Sequence, residues 1–102
     1  MTPQAIRQAA ADLVRRGWCQ GQFAMDRRGR FVTLGCDSAT RHCMAAAIFL
    51  SAHRMPQLAT AIAAAISAEL GIDNLVDWQD APERTQAEVI AALEGRREPA
   101  HE

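Results

Sequence analysis

The twelve residues Trp78-Gln79-Asp80-Ala81-Pro82-Glu83-Arg84-Thr85-Gln86-Ala87-Glu88-Val89 constrain the fold more than any other stretch, because they combine an aromatic anchor, an acidic turn, a proline and a helix start. Thr85 and Glu88 have the spacing of a capping box: the threonine hydroxyl accepts from the backbone N–H at the third helical position, and the glutamate accepts from the threonine's own N–H. A helix is therefore predicted from Gln86 to about residue 95, with Val89, Ile90 and Leu93 facing inward. The segment contains no catalytic signature.

A chain of 102 residues forms one hydrophobic core, expected here over residues 1–95 with a polar, Pro99-containing tail at 96–102 that frays. Apolar residues make up 49% of it and charged residues 23%, which is a globular composition and excludes a disordered chain. The runs Ala45-Ala46-Ala47 and Ala63-Ala64-Ala65 favour helix, because alanine gives up no side-chain entropy there. Such helices have thin apolar faces, so self-association, through the alanine-rich third helix, is an expected supplement to the core.

The first helix is predicted over residues 3–16. Thr2 stands as N-cap and Pro3 at the first helical position, Ile6, Ala9, Ala10, Leu13 and Val14 form one stripe, and Gly17 is read as a left-handed cap. Phe23-Ala24-Met25 and Phe31-Val32-Thr33 flank Asp26-Arg27-Arg28-Gly29 and read as a short β-hairpin tipped by Arg27, Arg28 and Arg30. Ser38 is read as the cap of a helix over about 39–53, and Met55-Pro56 separates it from a third helix over about 57–70 that buries Leu58, Ala61, Ile62, Ala65 and Ile66 before Gly71. Residues 72–84 read as an acidic loop held by Leu75, Val76 and Trp78. The predicted fold class is mainly α with a minor β part: a compact bundle of about four helices, with one short β-hairpin between helices 1 and 2.

Charge is segregated along the chain. Residues 1–54 carry eight arginines against three aspartates, a net +5, while residues 55–102 carry three arginines against nine acids, a net −6. An overall charge of −1 thus conceals two opposite poles that can steer a partner. Three cysteines and no apolar N-terminal stretch of the secretory type point to a reducing, cytoplasmic setting. The longest apolar run, about residues 59–68, is shorter than the roughly 20 residues a membrane span needs, so no membrane partner is expected.

Four pieces resemble a family of small bacterial and phage-encoded proteins known only as a domain of unknown function. They are Gly17-Trp18-Cys19-Gln20, Asp26-Arg27-Arg28-Gly29-Arg30, the Ala39–Ala47 segment around Cys43, and Trp78 to Val89, whose family form is similar to W-N-D-x-P-x-R-T-x-x-E-V. Gln79 stands where the family tends to have asparagine, and Ala46-Ala47 where Gly-Ala is usual. The resemblance implies a compact helical domain and brings no activity with it.

His42-Cys43 invites a nucleophile or zinc reading, because a cysteine beside a basic group can ionise and thiolate with imidazole can bind the metal. Neighbouring helical residues diverge, however, and Cys19, Cys36 and Cys43 form no paired C-x-x-C spacing, so a buried structural Cys43 is favoured and no metal or cofactor is expected. Trp18 and Trp78 read as core anchors. The function expected from these residues is a non-enzymatic protein-interaction module, such as a regulator or a phage-type inhibitor of a host system. It would present Arg27, Arg28 and Arg30 of the hairpin and Asp77, Asp80, Glu83 and Arg84 of the acidic loop to a protein partner. Nucleic-acid binding led by the hairpin arginines is the alternative, although the third helix lacks arginine, lysine and asparagine for base reading. An enzyme or metal protein centred on His42 and Cys43 is the remaining one.

Overall fold

The computed structural model describes residues 2–96. Helix α1 (Pro3–Arg16) lies at the centre, packed by α2 (Met44–Ser51) on one side and α5 (Gln86–Glu94) on the other. Helix α3 (Pro56–Leu70) and the short α4 (Leu75–Gln79) complete the body, and strands β1 (Ala24–Met25) and β2 (Arg41–His42) lie between α1 and α2. The predicted bundle with a hairpin after helix 1 is thus present, with α4 as a fifth helix inside the stretch read as an acidic loop. The tail expected to fray falls, from residue 97 onward, outside the described residues.

Both predicted caps at the ends of the bundle form. Thr2 Oγ1 accepts from Ala5 N at 3.1 Å, and Thr85 Oγ1 accepts from Glu88 N while Glu88 Oε1 accepts from Thr85 N at 2.9 Å. Gly71 and Gly95 end α3 and α5 in the left-handed conformation. Gly17 does not: its φ of 177° is extended. Glycine is needed there for closeness instead, since a β-carbon would fall 2.1 Å from the carbonyl oxygen of Thr40.

That crossing rearranges the hairpin. The regular partner of β1 is β2, with Ala24 opposite His42 and Met25 opposite Arg41, rather than the expected Phe31-Val32-Thr33. The latter segment contributes one antiparallel bridge, Phe31 to Met25, and Trp18 adds a parallel bridge to His42 on the far side. Four short pieces therefore lie side by side. Drawing Arg41 and His42 into this ribbon also postpones the second helix, which starts at Met44 with Cys43 as N-cap instead of near residue 39 under Ser38.

The core joins Ile6, Ala10, Ala11 and Val14 of α1 to Met44, Ala47 and Ile48 of α2, Ile62 and Ile66 of α3, and Val89 and Leu93 of α5. Ala61 and Ala65, expected inside, are exposed. Alanine carries little information about facing, because a small apolar side chain is tolerated on either side of a helix. Arg7 is buried on the core-facing side of α1 and ties three helices together. Its Nε donates to Leu93 O at 2.8 Å, a carbonyl of the last helical turn, and its Nη2 to Ala92 O at 2.9 Å, which also accepts from Gly95 N. The same guanidinium grips Glu69 of α3 with two bonds of 2.7 and 2.8 Å, which holds that carboxyl below its usual range.

Candidate functional site

The hairpin tip is organised by Asp26, whose side chain turns inward. Oδ1 accepts from the backbone N–H groups of Arg28 and Arg30, both at 2.9 Å, and Oδ2 accepts from Arg30 Nε at 2.9 Å. These bonds, led by the Arg30 backbone, lower the carboxyl's pKa. Gly29, with φ of 78°, supplies the left-handed residue that the turn requires. Arg30 is thus paired locally, and like Arg27 and Arg28 it is exposed. Arg41 of β2 reaches the same turn, donating to Arg27 O at 3.5 Å.

The residues expected to form an acidic docking loop divide into two groups. Asp77 and Glu83 are exposed. Asp80 and Arg84 are engaged inside the molecule. Asp80 Oδ1 accepts from Gly21 N at 3.0 Å and from Gln79 Nε2 at 2.6 Å, whereas Arg84 stacks over the Trp78 ring at 4.0 Å, donates to Trp78 O at 2.9 Å and pairs with Glu88.

Gln79, next to Asp80, is 1% exposed and joins three segments. Its Oε1 accepts from Trp18 Nε1 at 2.5 Å and from Met44 N at 2.9 Å, and its Nε2 also reaches Cys19 O at 3.4 Å. Gln20 closes the junction by donating to Gln79 O and Ala81 O. The motif beginning at Gly17 and the motif beginning at Trp78, read separately in the sequence, are therefore two halves of one hydrogen-bonded joint. Trp18 and Trp78 are both half-buried, anchoring their segments as expected.

Gln79 of this joint and the adjoining Asp80 line an apolar cleft of about 330 Å³ between the hairpin and α4. Its rim is made by Phe23, 56% exposed, Phe31, 61% exposed, and Val76, 48% exposed. Phe23 also borders a second apolar groove of about 370 Å³, shared with Leu34, Phe49, Pro56 and Ala63. The phenylalanines are outside because of the ribbon's register. Ala24 and His42 pair on the face turned to the bundle and are buried, so Phe23, Met25, Phe31 and Arg41 fall on the opposite face, where Met25 packs half-buried against the small core of Cys19 and Cys43 and the others are exposed. Sequence reasoning missed this cleft; the available signal was a lone small residue, Ala24, between two large ones.

Cys19 and Cys43 come together with Ala46 in a small second core, while Cys36 stays exposed beside Ser38. Burial pushes the Cys19 thiol up to about 11 and raises that of Cys43, so both are held protonated, the less nucleophilic form. Cys43 Sγ caps α2 by accepting from Ala46 N at 3.4 Å. His42 is on β2 rather than on a helix, its Nδ1 is enclosed without a hydrogen-bond partner, and burial lowers its pKa. Among the described residues no group of three or more His, Cys, Asp or Glu side chains converges as metal ligands, and no helix is long and apolar enough to cross a membrane.

No curated protein and no solved structure matches the chain. A family match spans Met1 to Gly95, taking in both halves of the Trp18–Gln79 joint, the arginine turn and the cleft they support. On that match the chain belongs to the family of unknown function DUF6197, over residues 1–95.

Proposed function

We propose that the protein is a non-enzymatic interaction module that docks another polypeptide on the cleft between the hairpin and α4. The observation that carries this reading is the exposed trio Phe23, Phe31 and Val76, set over an apolar hollow in a chain whose other large side chains are mostly gathered into the core. Exposed aromatic residues beside arginine suit a docking centre, since both types are enriched where binding energy is concentrated. The exposed Arg27 and Arg28 of the turn before Phe31, and the exposed Asp77 next in sequence to Val76, would supply steering. Glu83 extends the acidic surface beyond α4. A regulator or a phage-type inhibitor works in this manner, by covering a surface on another molecule, and the cytoplasm is the setting consistent with free thiols.

The test is comparative capture. Wild-type protein immobilised at low salt should retain a stoichiometric polypeptide partner, and the double substitution Arg27→Glu with Arg28→Glu should weaken retention while leaving the melting temperature in place. Equal retention by both proteins would remove the turn from the site. Retention of nucleic acid that falls steeply with salt would replace this reading by the alternative one, in which the two phenylalanines stack on bases.

A further inference from the structure

Two of the three cysteines, far apart in the sequence, are brought side by side by the ribbon. Trp18 and His42 form a parallel bridge, in which His42 N donates to Gly17 O at 3.0 Å and Cys19 N to His42 O at 3.3 Å. Cys19 and Cys43 are the next residue on each side of that bridge. They therefore stand opposite one another, with side chains leaving on the face away from those of Trp18 and His42. The packing agrees, since Cys19, Cys43 and Ala46 form a small core of their own, apart from the main core that Trp18 joins.

Adjoining strands run about 4.7–4.9 Å apart. A disulfide joins residues whose Cα atoms are roughly 4.4–6.8 Å apart, so the backbone already holds the two positions at bonding range. Each sulfur has a weak partner of its own: Cys19 Sγ donates to Gln22 O and Cys43 Sγ accepts from Ala46 N, both at 3.4 Å. A rotation of each side chain would exchange these contacts for a covalent bond. Cys43 also lines the cleft, which gives a small reagent a way in, whereas Cys36 stands exposed beside Ser38, outside this core.

We propose that Cys19 and Cys43 are a redox pair, which a small-molecule disulfide of the glutathione class converts, in the folded protein, from two thiols to an internal disulfide. Cys43 gives its proton to water, and its thiolate attacks one sulfur of the small disulfide from the cleft. That S–S bond breaks, a mixed disulfide forms on Cys43, and one small thiolate leaves and takes up a proton. The Cys19 thiolate then attacks the Cys43 sulfur, forming the Cys19–Cys43 bond and expelling the second small thiol. Two protein thiols are oxidised while one small disulfide is reduced to two thiols, and excess small thiol reverses the sequence. Burial keeps both cysteines protonated at rest, so the exchange is slow near neutral pH and quickens as pH rises. The bond would tie the segment after Trp18 to the start of α2 and withdraw the sulfur that caps that helix, whether or not a polypeptide docks in the cleft.

The full chain carrying Cys36→Ser, which removes the exposed thiol, tests the pair. It is equilibrated at mildly alkaline pH in glutathione buffers of rising oxidised share, quenched in acid, alkylated and mapped by mass spectrometry. The expected product is a Cys19–Cys43 bond. It should form at a ratio of oxidised to reduced glutathione about tenfold or more below the ratio needed in urea, because folding holds the two thiols together. Cys19→Ala in the same background keeps the site apolar and should stop at a glutathione adduct on Cys43; circular dichroism confirms that each variant is folded. A folded chain that retains both thiols at every ratio would overturn the pair. So would one that stops at the adduct with Cys19 present, or a bond formed no more readily than in urea.

Discussion

The side of the molecule where α1 meets α5 and the side where the hairpin meets α4 treat polar and apolar groups in opposite ways. On the first, a charged side chain, Arg7, is taken inside and its donors go to Glu69, Ala92 and Leu93. Among the described residues none of the exposed large apolar side chains lies on α1 or α5. On the second, the buried connection is a neutral glutamine, while two phenylalanines and a valine stay in water and arginines stand beside them. Enclosing a cation holds three helices in register; leaving aromatic rings outside does nothing for the fold. The contrast fits a role in holding the helices together for the first side and agrees with the docking role proposed for the second.

Substitutions that silence one side should spare the other. The largest effect is expected at Arg7: Arg7→Met keeps much of the apolar stem but leaves Leu93 O and Ala92 O without their charged donor. That should cost about 1.5–3 kcal/mol in urea-unfolding free energy, the range for charged hydrogen bonds, with Glu69 free to turn to solvent. Gln79→Leu comes next. It strands Trp18 Nε1 and Met44 N, for an expected loss of about 1–3 kcal/mol, and a blue or red shift of Trp18 fluorescence would report the released indole. A loss well under 1 kcal/mol in either variant would mean that the contrast between the two sides has been drawn too sharply.

Acid should act more mildly and in two windows. His42 has a folded pKa below its ordinary value of 6.5, so the unfolded chain takes up the proton first; stability is lost as pH falls below about 6.5 and the loss ends at the folded pKa. Glu94, held at about 2 by Gln8, Arg15 and Arg96, contributes stability that is present above its ordinary 4.5 and lost as pH falls from there toward 2. Melting temperature against pH should therefore decline in separate steps. His42→Gln should flatten the upper step, and Glu94→Gln should shrink the lower, to which Asp26 and Glu69 also contribute. The smallest effect on folding belongs to Arg27→Glu with Arg28→Glu, within about 0.5 kcal/mol as for exposed positions away from packed features. A larger destabilisation would make the turn part of the core's support.

The parts of this fold that were readable in the sequence are those encoded locally. Thr2-Pro3 and the Thr85–Glu88 box each act within one helical turn, and α1 and α5 have the bounds those residues announce. What escaped depends on contacts far apart in the chain. Ser38 is a sound helix cap in isolation, but Thr40 to His42 is captured by β1 and by Gly17, so α2 waits until Cys43. Arg7 interrupts an alanine-rich stripe at the spacing of Ala11 and Val14, a signal that a charge would be enclosed, yet its partners lie 62 to 86 residues away. The candidate site was half visible: the arginine turn was found from its own residues, whereas Phe23 and Phe31 gained meaning from the register of a ribbon that pairing with Arg41 and His42 imposes, and Val76 from α4 forming within the stretch read as a loop.

Replacing Phe31 by serine and measuring unfolding and association in parallel tests the division of labour most directly. The account predicts a melting temperature close to that of the wild type, because the ring is already 61% exposed, together with loss of binding at the cleft. A collapse of the melting temperature, or association unchanged in a folded variant, would contradict it.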